Sequence, residues 1–331
     1  MLPELVALTL LVAMVAYAVT GGADFGGGVW DLLASGPRKA AQRQLVERAL
    51  APIWEANHVW LILVVVVLFV ALPHAYAAIS TALHIPLVLM LIGIVLRGAA
   101  FVFRSYDPTP GKGAARWRLV FAVSSLVTPI FLGVVLGALV AGELRLDDAH
   151  RPTVGFIDAW LRPFPFLVGL FVVTLFAWLA AVYLAVEAEG DRELQRDFRS
   201  RASGAGLTAG VLSIAVMSLA EQEAPRLAST MHGSAAPMAV QFAVAAFAMA
   251  ALGALYVERY RLARLLAIAQ VALVVVGLGL AQWPFIIAPD LTFEAALAPA
   301  GVVVPMLIVL AAAAPVLIAA LVWLYRVFKT R

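Results

Sequence analysis

Along the chain, long apolar runs alternate with short polar connections, and the runs have the length of helices rather than strands. In lipid every backbone N–H and C=O must be satisfied within its own element, so an apolar run of about 20 residues predicts a membrane-spanning helix. Nine such runs occur, at 4–33, 54–73, 79–104, 117–141, 164–187, 204–220, 237–257, 265–282 and 303–326. They predict an all-α polytopic membrane protein, a single integral membrane domain over 1–331. Nine transmembrane helices would divide into two four-helix bundles plus one extra helix. No connection is long enough for a separate soluble domain, and no internal repeat is evident.

The basic residues orient these spans. Of 23 Lys and Arg, 18 lie in one alternating set of connections and at the C-terminus. Four, Arg145, Arg151, Arg162 and Arg226, lie in the opposite set, and Arg97 lies within a run. The positive-inside rule then predicts an external N-terminus and a cytoplasmic C-terminus. Composition agrees: the chain is 64% hydrophobic and 13% charged, with a mean hydropathy of +0.99, whereas soluble domains are about 25% charged. The formal net charge is only +3, so the basic clusters read as a topology signal and not as a nucleic-acid surface. The absence of cysteine excludes disulfides, thiolate ligands and a thiol nucleophile.

Polar residues inside the spans are few. "TGGADFGGGVWD" (20–31) places five glycines and Asp24 within eight residues of the first span. "PIWEANHVWLI" puts Glu55, Asn57 and His58 at the inner end of the second. Arg97, in the third, precedes Arg104 by about two turns, roughly 10 Å at 1.5 Å per residue. Asp24, Glu55 and Arg97 thus share a depth. An unpaired intramembrane ion is costly, so one polar cluster is expected, with Arg97 the charge partner of a carboxylate. Three readings stand: a structural pair that sets helix register, a proton pathway through Glu55, Asp24, Asn57, His58 and water, or a site for a substrate or lipid headgroup. Gly22, Gly26, Gly27 and Gly28 predict a helix-packing face against a neighbouring helix or bulky ligand, and Gly133/Gly137 and Gly206/Gly210 repeat the four-residue spacing. The stretch is not a nucleotide loop, since no strand precedes it and no GK[ST] follows.

Other chemistry finds little support. A bis-histidine haem needs two imidazoles at matched depth on facing helices, and His58, His74, His84, His150 and His232 do not predict one. No HExxH or clustered His/carboxylate pattern predicts a metal site, and no GxSxG predicts a hydrolase. Trp30, Trp54, Trp60, Trp117, Trp160, Trp283 and Trp323 mostly fall near span ends, where indoles anchor at the interface. Pro284, Pro289 and Pro299 make 283–299 too irregular for lipid, so this segment should rest on the surface or against a partner.

"AVTGGADFGGG" (18–28), "APIWEANHVWLI" (51–62), "LPHAYAA" (72–78), "LRGAAFVFR" (96–104) and "WPFIIAPDLTFEAALAP" (283–299) occur in the order and spacing of one family. Across nearly its whole length the chain resembles subunit II of cytochrome bd-type quinol oxidases, in the short form associated with cyanide-insensitive oxidases. The resemblance implies a heterodimer in a bacterial inner membrane with a subunit I that carries the b- and d-type haems and the quinol site. It implies oxidation of quinol with reduction of O2 to water, protons being drawn from the cytoplasm. Subunit II would itself hold no haem and no catalytic residue. An acid at the start of span two, here Glu55, is implicated in proton supply. A small single-helix accessory subunit and a structural quinone or lipid also fit the resemblance. This sequence departs from the family at Gly21 and Val102, where acids are usual, and carries Glu55-Ala56 in place of Asp-Gly. Two alternatives remain at this stage: a secondary transporter with a midplane Asp24/Arg97 site, and an assembly scaffold that carries no protons.

Overall fold

The structure, a computed structural model, describes residues 1–50, 54–106 and 112–329. In chain order the elements are α1 (Leu2–Leu32), α2 (Lys39–Leu50), α3 (Trp54–Ala71), α4 (Pro73–Ala82), α5 (His84–Tyr106), α6 (Lys112–Ala141) and α7 (Pro163–Glu187). There follow α8 (Arg192–Glu223), α9 (Pro225–Gly233), α10 (Ala235–Tyr256), α11 (Tyr260–Gln282), β1 (Phe285–Ile287), β2 (Leu291–Thr292), α12 (Phe293–Ala296) and α13 (Ala300–Lys329). Among the described residues eight helices are long and apolar enough to cross a membrane, and α3 with α4 makes a ninth if the bent pair is one span.

Several boundaries shift from those the apolar pattern predicts, and two of the departures have a clear physical cause. The third span begins at His84 and not at 79, because 73–82 form the separate helix α4, turned 117° from α3. Pro73 explains the break: it lacks an N–H, and its ring clashes with the carbonyl four residues back, so the chain cannot continue α3. Secondly, the span predicted at 204–220 is the C-terminal part of the 32-residue α8. Asp191 caps α8 by accepting from the N–H groups of Glu193 and Leu194, which lets three polar turns precede the apolar ones.

α1 is the hub and packs on α3, α6, α7 and α11. α5 pairs with α6, while α7 packs on α8 and α11, and α10 on α11. α13 contacts α3 and α1 and is the least buried of the spans; α7 is the most buried. Small residues allow this closeness where no hydrophobic effect drives helices together in lipid. A Cβ on Gly26 would overlap the Phe176 carbonyl oxygen of α7, and one on Gly22 would lie 2.7 Å from the Phe176 ring. Gly133 of α6 faces Gly169 of α7 in the same manner. Gly210, by contrast, meets nothing of this chain within 4 Å, while a Cβ on Gly206 would press on the side chains of Trp178 and Leu252.

The two ends of the bundle are tied by polar contacts. At the hairpin end β1 and β2 pair antiparallel, and Asp290 between them accepts from Arg145 Nε and the Leu146 N–H, each at 2.8 Å. The Ala298 N–H donates to the Ala71 carbonyl at 2.8 Å, which seats the proline-rich segment on the end of α3. At the α2 end, Arg38 Nε and Gln42 Nε2 both donate to Asp197 Oδ2 at 2.8 Å, joining α2 to α8. The hydrogen bond to Asp197 pushes the Arg38 pKa further up.

Candidate functional site

α1, α5 and α6 bring one charged pair together inside the bundle. Arg97 Nη1 donates to Asp24 Oδ2 and Nη2 to Asp24 Oδ1, each at 2.7 Å, and Nη2 also reaches the Asp24 carbonyl at 3.3 Å. The third guanidinium nitrogen, Nε, donates to Ser125 Oγ at 2.9 Å, which in turn donates to the Phe121 carbonyl at 2.7 Å. The guanidinium lies between the rings of Phe25 and Phe121, 4.9 and 4.8 Å from their centroids. Asp24 is 2% exposed and Arg97 1%, so every charge-bearing atom is answered by protein. A planar fork on a carboxylate is the strong form of such a pair, and aromatic faces add cation–π attraction.

The glycine row and the ion pair belong to one construction. Gly28 is one turn beyond Asp24, and a Cβ there would overlap Ser125 Cβ and Oγ. Removing that side chain lets α6 come close enough for Ser125 to reach Arg97. Gly22 and Gly26 seat α7 on another part of the same helix, and Gly27 is also buried. The bulky neighbour expected beside the glycines is therefore this chain's own α6 and α7.

The other predicted residues sit near this pair in different ways. Asn57 is buried, and its Nδ2 has no hydrogen-bond partner among the described residues. The His58 ring lies 6.1 Å from Phe25 and 6.4 Å from Tyr17, centroid to centroid, so it adjoins the ring that covers Arg97. Glu55 falls in the first turn of α3, and its side chain lies outside the described residues. On α6, Thr128 Oγ1 is buried and also without a partner among the described residues. Buried polar atoms of this kind are normally satisfied by ordered water.

Several participants carried no clear sequence signal. Ser125, Phe25 and Phe121 are ordinary residues of apolar runs until α5 and α6 are docked. Asp31 is different: it is 1% exposed, with Arg43 Nε 3.9 Å from Oδ1 and 3.3 Å from its carbonyl. It follows Asp24 by seven residues, a spacing that places both on one face of α1 and could have flagged it. Trp30 and Trp160, expected as interfacial anchors, are buried instead. Trp30 Nε1 donates to the Ala177 carbonyl at 2.7 Å, and the buried Trp178 donates to Gln270 Oε1 at 3.0 Å. An indole goes inside when a carbonyl is available for its N–H.

The histidines are dispersed: His58 on α3, His84 on α5 against Phe156, His232 on α9, and His74 on α4 beside His150. They do not fit a bis-histidine haem held between facing spans of this chain. No group of three or more His, Asp or Glu converges among the described residues.

Comparison with known proteins gives this arrangement its context. The family described as "Cytochrome bd terminal oxidase subunit II" matches residues 2–328. The chain is similar to "Cytochrome bd-I ubiquinol oxidase subunit 2" of Escherichia coli (strain K12), 29% identical over 187 residues, 56% of this chain and 48% of that one. It thus spans about half the length of the first curated relatives it matches. It is also similar to "Putative cytochrome bd menaquinol oxidase subunit II" of Bacillus subtilis (strain 168), 25% identical over 301 residues, 87% of this chain and 84% of that one. A chain in "The structure of bd oxidase from Geobacillus thermodenitrificans" shares the fold, with a TM-score of 0.78, 20% identity and 99% of each chain covered.

Proposed function

The chain belongs to the cytochrome bd terminal oxidase subunit II family, and from that premise we propose that it is the non-haem subunit of a quinol:O2 oxidoreductase. In this reading it binds a haem-bearing subunit I in a bacterial inner membrane, with its N-terminus outside and the α2 end in the cytoplasm. Quinol oxidation and O2 reduction to water take place on the partner. The haems would supply that redox chemistry; this chain contributes packing surface and a route for protons. The observation that carries the proposal is the family match over 2–328, joined to a fold likeness over the whole chain.

Within this chain the roles divide. Asp24 is the charge partner of Arg97 and, with Ser125, locks the register of α1, α5 and α6. Both Asp24 oxygens already accept from Arg97, which favours the structural role over that of a free relay. Glu55, at the start of α3, is the proton-entry acid, with Asn57 and His58 arranging water behind it. Asn57 Nδ2 and Thr128 Oγ1, buried with no partner among the described residues, support water on these helices. The transporter reading would need broken helix ends facing Asp24 and Arg97. The bent pair breaks at Leu72, 14 residues beyond His58, or about 21 Å along α3, so it does not favour that reading.

The test is purification of the chain from its native membrane. Co-purification of a polypeptide with b- and d-type haem absorption is expected, and its absence would overturn the proposal. In that complex Glu55→Gln should slow O2 reduction while leaving the haem spectrum and assembly intact. Unchanged turnover would remove Glu55 from the proton route.

A further inference from the structure

At the hairpin end two imidazoles from separate elements meet: the rings of His74 and His150 lie 5.3 Å apart, centroid to centroid, with planes at 51°. His74 is exposed on the first turn of α4, and His150 is half-buried in the connection between α6 and α7. We propose that this pair is a binding site for a first-row transition-metal dication of the Zn2+ class, a property separate from the oxidase role.

The distance is the first argument. Two imidazoles on one tetrahedral Zn2+, each bonded through nitrogen at about 2.0–2.1 Å, place their ring centroids about 5 Å apart. The rings of His74 and His150 stand at that separation, 5.3 Å, before any ion is bound. Neutral imidazole suits Zn2+ and Cu2+, not Mg2+ or Ca2+, which take oxygen ligands. Two protein donors leave the remaining positions to water, as expected of an exposed, exchangeable site.

The second argument is that both supports are built. His150 has φ +58°, a left-handed conformation that is uncommon for non-glycine residues but that histidine adopts more readily than most. Asp147 imposes it: Oδ1 accepts from the N–H groups of Ala149 and Arg151 at 2.9 and 2.8 Å, and its carbonyl accepts from the His150 N–H at 2.9 Å. The base of this turn is fixed in turn by Asp290 through Arg145 and Leu146. On the other side, Pro73 sets the direction in which α4 leaves α3 and so where His74 stands. A bound ion would clamp α4 to the α6–α7 connection.

The experiment uses the intact complex, purified without a polyhistidine tag and stripped with chelator. ZnCl2 is titrated by calorimetry, and Cu2+ serves as a paramagnetic probe. The variants are His74→Gln, His150→Asn (asparagine tolerates the left-handed conformation) and, as a control, the exposed His232→Gln. The wild type should bind one Zn2+ at this site, with affinity lowered at least about tenfold in either pair variant and unchanged in the control. Bound Cu2+ should show two imidazole nitrogens in the wild type and one in each pair variant. Equal affinity in all four proteins, an equal loss in the control, or a single nitrogen on Cu2+ in the wild type would overturn the proposal. Should His150→Asn disturb the loop, His74→Gln, at an exposed helical position, decides alone.

Discussion

Breaking the Asp24–Arg97 pair tests most directly whether it is a structural lock. Arg97→Met leaves a carboxylate buried at 2% exposure with both oxygens stripped of their 2.7 Å donors. Asp24→Leu leaves a guanidinium stranded between Phe25 and Phe121, with Ser125 as its remaining side-chain hydrogen-bond acceptor. Removing one member of a buried pair costs about 3–5 kcal/mol, whereas replacing both by apolar groups is often neutral or stabilising. The single variants should therefore lower the folded-to-unfolded ratio by about 10²–10⁴, one decade per 1.4 kcal/mol. The double variant should recover most of that, a coupling of several kcal/mol where independent sites would add. Reversible unfolding in micelles of graded SDS content measures all four proteins. A double variant as unstable as the sum of the singles, or singles within about 1 kcal/mol of wild type, would refute the lock. The same double variant separates structure from proton transport. If Asp24 is only a counter-charge, the assembled double variant reduces O2 at the wild-type rate. Intact assembly with lost turnover would return Asp24 to the proton route.

Two further substitutions probe the packing around the pair. Gly26→Ala drives a methyl group into the Phe176 carbonyl of α7; since backbone cannot rotate away, it should cost at least about 1–3 kcal/mol, read as loss of folded protein in the same SDS titration. Trp178→Phe removes the donor to Gln270 and leaves a buried amide oxygen unanswered; a loss of about 1–3 kcal/mol is expected, and Trp178→Phe combined with Gln270→Leu should restore part of it.

Much of the architecture was legible in the sequence because lipid imposes one strict rule on the backbone. Runs of membrane length had to be helices, and the apolar pattern located them to within a few residues wherever a helix ends at the edge of lipid. It erred where other physics sets the ends: Pro73 splits off α4, and the Asp191 cap extends α8 into polar sequence. Asp24 and Arg97 stood out for a related reason, since charge inside an apolar run is conspicuous. Asp31 carried the same signal, weakened by its place at the end of the run, where an acid looks like a loop residue.

What the chain alone could not contain is which face of each helix meets which neighbour. In lipid no hydrophobic gradient marks the inside of a bundle, so apolar residues such as Phe25, Phe121 and Ala177 look alike whether they face lipid, α7 or a guanidinium. Docking of α5 and α6 on α1 turned Ser125 into the acceptor for Arg97, and docking of α1 on α7 drew Trp30 inward to the Ala177 carbonyl. The same holds for His74 and His150, 76 residues apart in sequence, which meet because a proline turn and an aspartate-held loop end at one place. Local sequence determined that these are helices and that an ion must be paired. Tertiary packing decided the partner, because that depends on distances between segments that no local pattern encodes.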